Sequence, residues 1–280
     1  MFYARRGAKA AMNKVRSLQE LVAHVAPGSL VSFGGGGMVR KPLAACAALA
    51  LRGARFDLTA FLGGPEVDLL VGMGAVNKLD FAYVGMDALG LAPNFRQARE
   101  KGGLPVVEWT EAMYIAGTEA ASRRLPFMPT LSGPGAELME LPEAPFVRFV
   151  CPLTGAPLTA VPAIVPDVLL LHVNQADHAG NVRIEGDGFL DPYIARAAKQ
   201  VLVTADQVVD RLPEDITDHE TTISRIWVTA VAEVPGGGGF TSVYPQYPLD
   251  YRAANEYVQN ARDRNWLQRY CEDLVMGAVR

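Results

Sequence analysis

The run Val168-Leu169-Leu170-Leu171-His172-Val173 is apolar on both of its alternating faces. A strand with one face in water alternates apolar with polar residues, whereas one apolar on both faces must be covered on both, as in the centre of a mostly parallel sheet. The rest of the chain fits that demand. Leu18, Leu21, Val22 and Val25 recur at helical spacing behind a Ser17/Glu20 capping box, and Pro27-Gly28 ends the helix. Leu30 to Phe33 reads as a strand running into Gly34-Gly35-Gly36-Gly37, after which Lys41-Pro42 opens an alanine-rich helix to about Arg52. Phe56 to Leu62 and Leu79 to Val84 read as strands ending at glycine. Asp191-Pro192 supplies an N-cap and an N1 proline for a helix through Ala198, and Gln200 to Ala205 returns as a strand. Tyr251, Ala254, Val258 and Ala261, then Trp266, Leu267, Tyr270 and Leu274, predict C-terminal helices. The expected fold class is α/β: an open, mostly parallel sheet flanked by helices, with ligands bound at the carboxyl ends of the strands.

One stretch breaks the pattern. Residues 126 to 166 are rich in proline and glycine, which predicts a long surface excursion, either a lid or an inter-subunit element. No internal repeat divides the chain, so residues 1–280 are expected to form a single domain.

A formal charge of -4 gives no basic field for nucleic acid or an anionic membrane. The mildly basic N-terminus lacks an apolar run with a cleavage site, and nowhere do 18 apolar residues follow one another. The three cysteines lack CxxC spacing, which argues against a disulfide framework or a zinc site. The expectation is a cytoplasmic protein without nucleic-acid or membrane partners.

The segment GGGGMVRKP, residues 34 to 42, is the most informative. Glycines admit close backbone approach, the helix after them points free N–H groups into the turn, and Arg40 adds a fork of donors. Such a place suits a phosphate or a carboxylate; a glycine turn without a ligand is the alternative. Glu66 follows the second strand, either catalytic or as the structural ion-pair partner of an arginine. Glu108 and Glu111 flank Trp109 at a strand end and the first turn of a helix running to about Arg123. Acids belong there for the helix dipole alone, yet partial desolvation by the indole would bring a glutamate into general-base range. His172, Asp177 and His178 do not match a common zinc spacing, and their Asn/Asp/Gly context is that of a turn. A second glycine run, 235 to 240, reads as a turn near the last strand.

Taken together, GGGGMVRKP, GGPEVDLLVGMGAV, YVGMDALGLAPNFRQAREKG, the glutamates of VEWTEAM, RRLPFMPT, VPAIVPDVLLLHVNQADHAGNV, ARAAKQVLVTADQVV and AVAEVPGGGGF resemble the A (alpha) component of family I CoA-transferases, nearest the glutaconate type. The likeness runs in order from about residue 30 to 240. It implies an open α/β fold of the kind that family shares with NagB and RpiA. It also implies a B (beta) subunit of the same fold in an α2β2 heterotetramer, coenzyme A thioesters as substrates, and no tightly bound cofactor or metal. In such enzymes a glutamate of the beta chain carries the glutamyl-CoA thioester. This chain would build the acyl pocket from Gly34, Gly35, Gly36, Gly37, Arg40 and Glu66, with Phe127 of RRLPFMPT on a wall. The pattern is also similar to the alpha chain of steroid ring-opening CoA-thioester hydrolases, where position relative to LPF assigns the hydrolytic glutamate to Glu111. Those relatives carry tryptophan in the first glycine loop, where this chain has glycine. A decarboxylase on the same fold, and a noncatalytic specificity subunit, complete the alternatives.

Overall fold

In a computed structural model of the chain, residues 13–213 and 220–277 are described. The first twelve residues, part of the basic N-terminal stretch, lie outside them. The elements are α1 (Leu18–Ala23), β1 (Leu30–Phe33), α2 (Leu43–Leu51), β2 (Phe56–Gly63), α3 (Pro65–Gly72), β3 (Val76–Val84), α4 (Pro93–Glu100), β4 (Val106–Glu108), α5 (Glu111–Ser122), β5 (Phe127–Thr130), β6 (Val147–Val150), β7 (Pro157–Pro162), β8 (Val168–Asp177), β9 (Val182–Glu185), α6 (Asp191–Ala197), β10 (Gln200–Val209), β11 (Glu220–Ile223), β12 (Ala230–Glu233), α7 (Tyr251–Asn260) and α8 (Arg264–Gly277).

The strands β12, β10, β8, β1, β2, β3 and β4 lie side by side and are all parallel. From β1 the chain adds β2, β3 and β4 in one direction, then crosses back to place β8, β10 and β12 on the other side. The order therefore reverses between β1 and β8, and the loop after β1 sits at that reversal. β8 outlasts β1 and turns into the antiparallel β9, which pairs with β11.

The doubly apolar reading of 168–173 is what the sheet requires. Leu170 enters the core on one face with Leu43, Leu69, Ala254 and Leu267, while Leu169, Leu171 and Val173 enter the core on the other with Tyr114, Val161 and Ile194. Helices α1, α2, α3, α4, α7 and α8 cover the first face, and α5 and α6 the second. The Ser17/Glu20 capping box forms as predicted, with both reciprocal hydrogen bonds. The excursion at 126–166 holds a three-stranded antiparallel sheet of its own, β5-β7-β6, which its proline-rich composition does not announce. Its prolines obey the donor rule nonetheless: Pro129 lies on the edge strand β5, and Pro157 and Pro162 sit at the two ends of the central strand β7.

Candidate functional site

The glycine loop is held from several sides, and its amides are almost all spoken for. Gly34 N–H donates to the Leu170 carbonyl on β8 at 2.9 Å, Gly36 N–H to the Val39 carbonyl at 3.2 Å and Gly37 N–H to the Leu62 carbonyl at 2.9 Å. Gly35 N–H donates to Asp191 Oδ1 at 2.9 Å, and Met38 N–H to Asp87 Oδ2 at 3.0 Å. Glycine is required here by space as well as by backbone angle. Gly35 has φ +67°, and a Cβ on it would sit 2.1 Å from the Val39 carbonyl oxygen; one on Gly36 would meet the Phe189 ring at 2.6 Å.

The Arg40 guanidinium is turned inward. It is 1 % exposed, and its Nη1 pairs with Asp191 Oδ2 at 2.9 Å. The same nitrogen is 3.4 Å from the His172 carbonyl, and Nη2 donates to the Asp187 carbonyl at 2.7 Å. Glu66 is likewise consumed. It is fully buried, pairs with Lys41 Nζ at 3.0 Å, and accepts the Gly64 N–H at 3.0 Å. Burial drives its carboxyl above the ordinary 4.5, against the pull of Lys41. Lys41 also donates to the Leu62 carbonyl at 2.7 Å and lies 3.5 Å from the Gly35 carbonyl. The sequence expectation of bare amides beside a free guanidinium is thus corrected: burial without partners would be too costly for these charges, so each has found a counter-ion in the fold.

Backbone strain gathers at the same place. Among the described residues four that are not glycine have positive φ, and three of them surround this loop: Arg40 at 50°, Asp87 at 46° and Phe189 at 46°. Such conformations cost roughly 1–3 kcal/mol each and persist where the surroundings over-determine them. The Arg40 guanidinium lies 5.9 Å from the centre of the Phe189 ring. Asp87 and Phe189 carry no motif that spacing alone would single out. Lys41 is legible in the sequence only as a helix start.

Glu108 and Glu111 lie on the same carboxyl-terminal rim, but at the edge strand β4 and the start of α5, and both are exposed. Thr110 caps α5 by accepting the Met113 N–H at 3.1 Å. Trp109 turns away from both glutamates into the core, edge-on to Phe146 at 4.8 Å, so the indole does not desolvate them as the sequence suggests. Glu108 instead lines a cleft of about 520 Å3 with Lys78, Asp80, Val107, Leu141 and Glu143. Phe127, on β5, is 44 % exposed and meets Phe149 edge-on at 6.4 Å.

His172 and Asp177 are turned to structural tasks. His172 Nδ1 sits 3.0 Å from Thr204 Oγ1, whose own proton goes to the Leu171 carbonyl, and its Nε2 faces Tyr247 and Asp206 at 3.3 and 3.4 Å. Asp177 caps the β8–β9 turn through Ala179 and Asn181, and His178 is exposed. Among the described residues no group of three His, Cys, Asp or Glu side chains is placed to hold a metal ion. The second glycine run closes over His172, where a Cβ on Gly237 would come within 3.0 Å of the ring.

A constrained glycine turn at the reversal point of a parallel α/β sheet stands where proteins of this architecture commonly bind their ligands. The family described as Coenzyme A transferase matches residues 15–233. The chain is 31% identical over 272 residues to the cholesterol ring-cleaving hydrolase IpdA subunit of Rhodococcus jostii, with 94% of this chain and 92% of that one covered. It is 32% identical over 215 residues to the alpha component of the 3-oxoadipate CoA-transferase of Pseudomonas knackmussii, covering 75% and 74%. Among solved structures it resembles the decarboxylase AibA/AibB, with a TM-score of 0.84 at 28% identity over 93% of this chain and 100% of that one. It also resembles the glutaconate coenzyme A-transferase of Acidaminococcus fermentans, with a TM-score of 0.82 at 27% identity over 93% and 88%. The chain belongs to the coenzyme A transferase family.

Proposed function

We propose that this chain is the alpha component of a heteromeric CoA-transferase, joined by a beta component of the same fold in an α2β2 heterotetramer and acting on coenzyme A thioesters in the cytoplasm. The observation that carries the reading is the glycine loop at the β1/β8 reversal, fixed by two buried ion pairs and ringed by three strained residues. Rigid placement of that kind suits a reaction in which an acyl carbonyl must be presented at one angle to a nucleophile on another chain.

In the proposed cycle a carboxylate of the beta chain attacks the thioester carbonyl. The thioester C–S bond breaks, leaving an acyl-glutamyl anhydride and coenzyme A thiolate. The thiolate then attacks the glutamyl carbonyl, which frees the first acid and leaves a glutamyl thioester. A second acid reverses both steps and departs as the new CoA thioester. Such intermediates hydrolyse in water, so the rim must close against the partner, with Phe127 and the β5 strand forming part of the wall. Arg40 and Glu66 serve the pocket by holding the loop rather than by touching substrate.

A second reading is favoured by the ring-cleaving hydrolase relative together with the exposure of Glu111 at the helix start. There Glu111 is the general base that activates water for hydrolysis of a CoA thioester or of a carbon–carbon bond within its acyl part, and Glu108 assists it. The purified two-chain complex, incubated with an acyl-CoA and then borohydride, separates the two. A reduced, trapped glutamate on the partner chain, with turnover surviving Glu111→Gln, supports transfer. No trapped adduct and turnover lost in Glu111→Gln overturns transfer in favour of hydrolysis.

A further inference from the structure

We propose that Asp191 is the positioning residue of this site, its two carboxylate oxygens locking the glycine loop and Arg40 into the one conformation in which the acyl end of the substrate is correctly placed. The inference rests on the functional reading above for its catalytic half and on geometry alone for its structural half. Asp191 is 1 % exposed and opens α6, yet it does not cap its own helix. Its Oδ1 receives the Gly35 N–H and its Oδ2 the Arg40 Nη1, each at 2.9 Å. The residue joins a segment 156 positions away to the switch-point loop, and among the described residues no other side chain accepts a hydrogen bond from the Gly34–Gly37 amides.

The arrangement clamps Gly35 from both ends. Asp191 takes its N–H, and the Lys41 ammonium lies 3.5 Å from its carbonyl. Two soft dihedrals between two fixed peptide groups leave this glycine little freedom, although glycine is the residue with the most to lose. Arg40 is held in the left-handed region at φ 50°. A residue stays there only if its surroundings insist: the Ser242 carbonyl holds the Arg40 N–H at 2.9 Å, and Asp191 and the Asp187 carbonyl hold its guanidinium. A buried ion pair is a poor source of stability but a good source of uniqueness, because both charges are satisfied in one geometry alone. Packing the volume needs no charge; fixing the loop does.

The test uses the full chain, alone for amide exchange and with its co-expressed partner for turnover. Asp191→Asn keeps the shape and an acceptor for Gly35 but loses the charge that holds Arg40. Hydrogen–deuterium exchange of residues 34–40 is expected to rise by at least about tenfold, with exchange in α8 unchanged, since the opening is local. In the complex, kcat for transfer falls by at least about tenfold while KM for the CoA thioester stays within about threefold, the signature of a group felt at the transition state. Should Asp191→Asn not fold, the paired change Arg40→Met with Asp191→Leu removes both charges at similar volume, and the same loosening and the same fall in kcat are expected. Unchanged loop exchange in either folded variant overturns the proposal, and so does a loosened loop with kcat intact. If the wild-type complex transfers no CoA between acids, the functional reading fails on its own, while the exchange measurement still decides whether Asp191 holds the loop.

Discussion

Replacing Lys41 with methionine is expected to cost more stability than replacing Lys41 and Glu66 together. The ammonium and the carboxylate are 3.0 Å apart with side chains 2 % and 0 % exposed. Removing one leaves the other buried without a counter-charge, a change that costs roughly 3–5 kcal/mol. The double change Lys41→Met/Glu66→Leu leaves no stranded charge. The contact to the Gly35 carbonyl is lost in both variants and does not separate them, the Leu62 carbonyl keeps the Gly37 N–H, and the group orphaned in the double variant alone is the Gly64 N–H, at about 1–3 kcal/mol. At roughly 2–4 °C per kcal/mol for a chain of this size class, the single variant melts about 6–20 °C below the parent and the double variant about 2–12 °C below it. The deficit of Lys41→Met also has a sign in pH. With its cation gone, the Glu66 carboxyl titrates still further above 4.5 in the folded chain, so the folded state holds that proton more tightly than the unfolded one. Stability is then lost as pH rises from 4.5 through the folded value, and the gap to wild type narrows in acid. Scanning calorimetry at pH 5 and pH 8 checks both points. A single variant that melts as high as the double, or a deficit independent of pH, refutes the ion-pair account.

Gly35→Ala is expected to destabilise far more than Gly53→Ala, although both glycines have φ near +70°, because a Cβ on Gly35 meets backbone oxygen at 2.1 Å while one on Gly53 meets nothing within 4 Å. The strain shared by both is about 1–2 kcal/mol, and urea midpoints within error of each other would contradict the close-packed loop. Asp68, which accepts from Asn94 N–H, Phe95 N–H and Tyr257 O–H at 2.7, 2.9 and 3.0 Å, is held above its ordinary 3.8 by burial. Its contribution therefore declines as pH rises from 3.8 through the folded value, and Asp68→Asn flattens that part of the stability profile; an unaltered profile counts against it.

Fold and site differ in how far the sequence discloses them. The parallel sheet is legible because VLLLHV, the capped helix at Leu18 and the strand–glycine–helix run at 30–52 each state their environment locally. The three-stranded sheet at 126–166 is not, since its strands are four to six residues long and punctuated by prolines that count against strand anywhere except an edge or an end. The glycine loop declares its place in the sequence but not its chemistry. What fills it arrives from Asp87, Phe189 and Asp191, as much as 156 residues away. Asp191 in particular reads as a helix cap, its commonest local role, because nothing in DPYIARA announces an arginine and a glycine amide waiting across the chain.

The reversal of strand order between β1 and β8 also bears on how the chain reaches its native state. Leu30 and Asp167, joined across that seam, are 137 residues apart, so the innermost pairing is also among the least local. Closing such a loop costs roughly 4 kcal/mol of chain entropy before any of the central contacts form. The β1–β4 half and the β8–β12 half can each gather around nearer neighbours, which makes their docking a late and slow event. Until then Val31 and Leu169 lie on open strand edges, and it is during that interval, rather than once folded, that this protein is most exposed to aggregation.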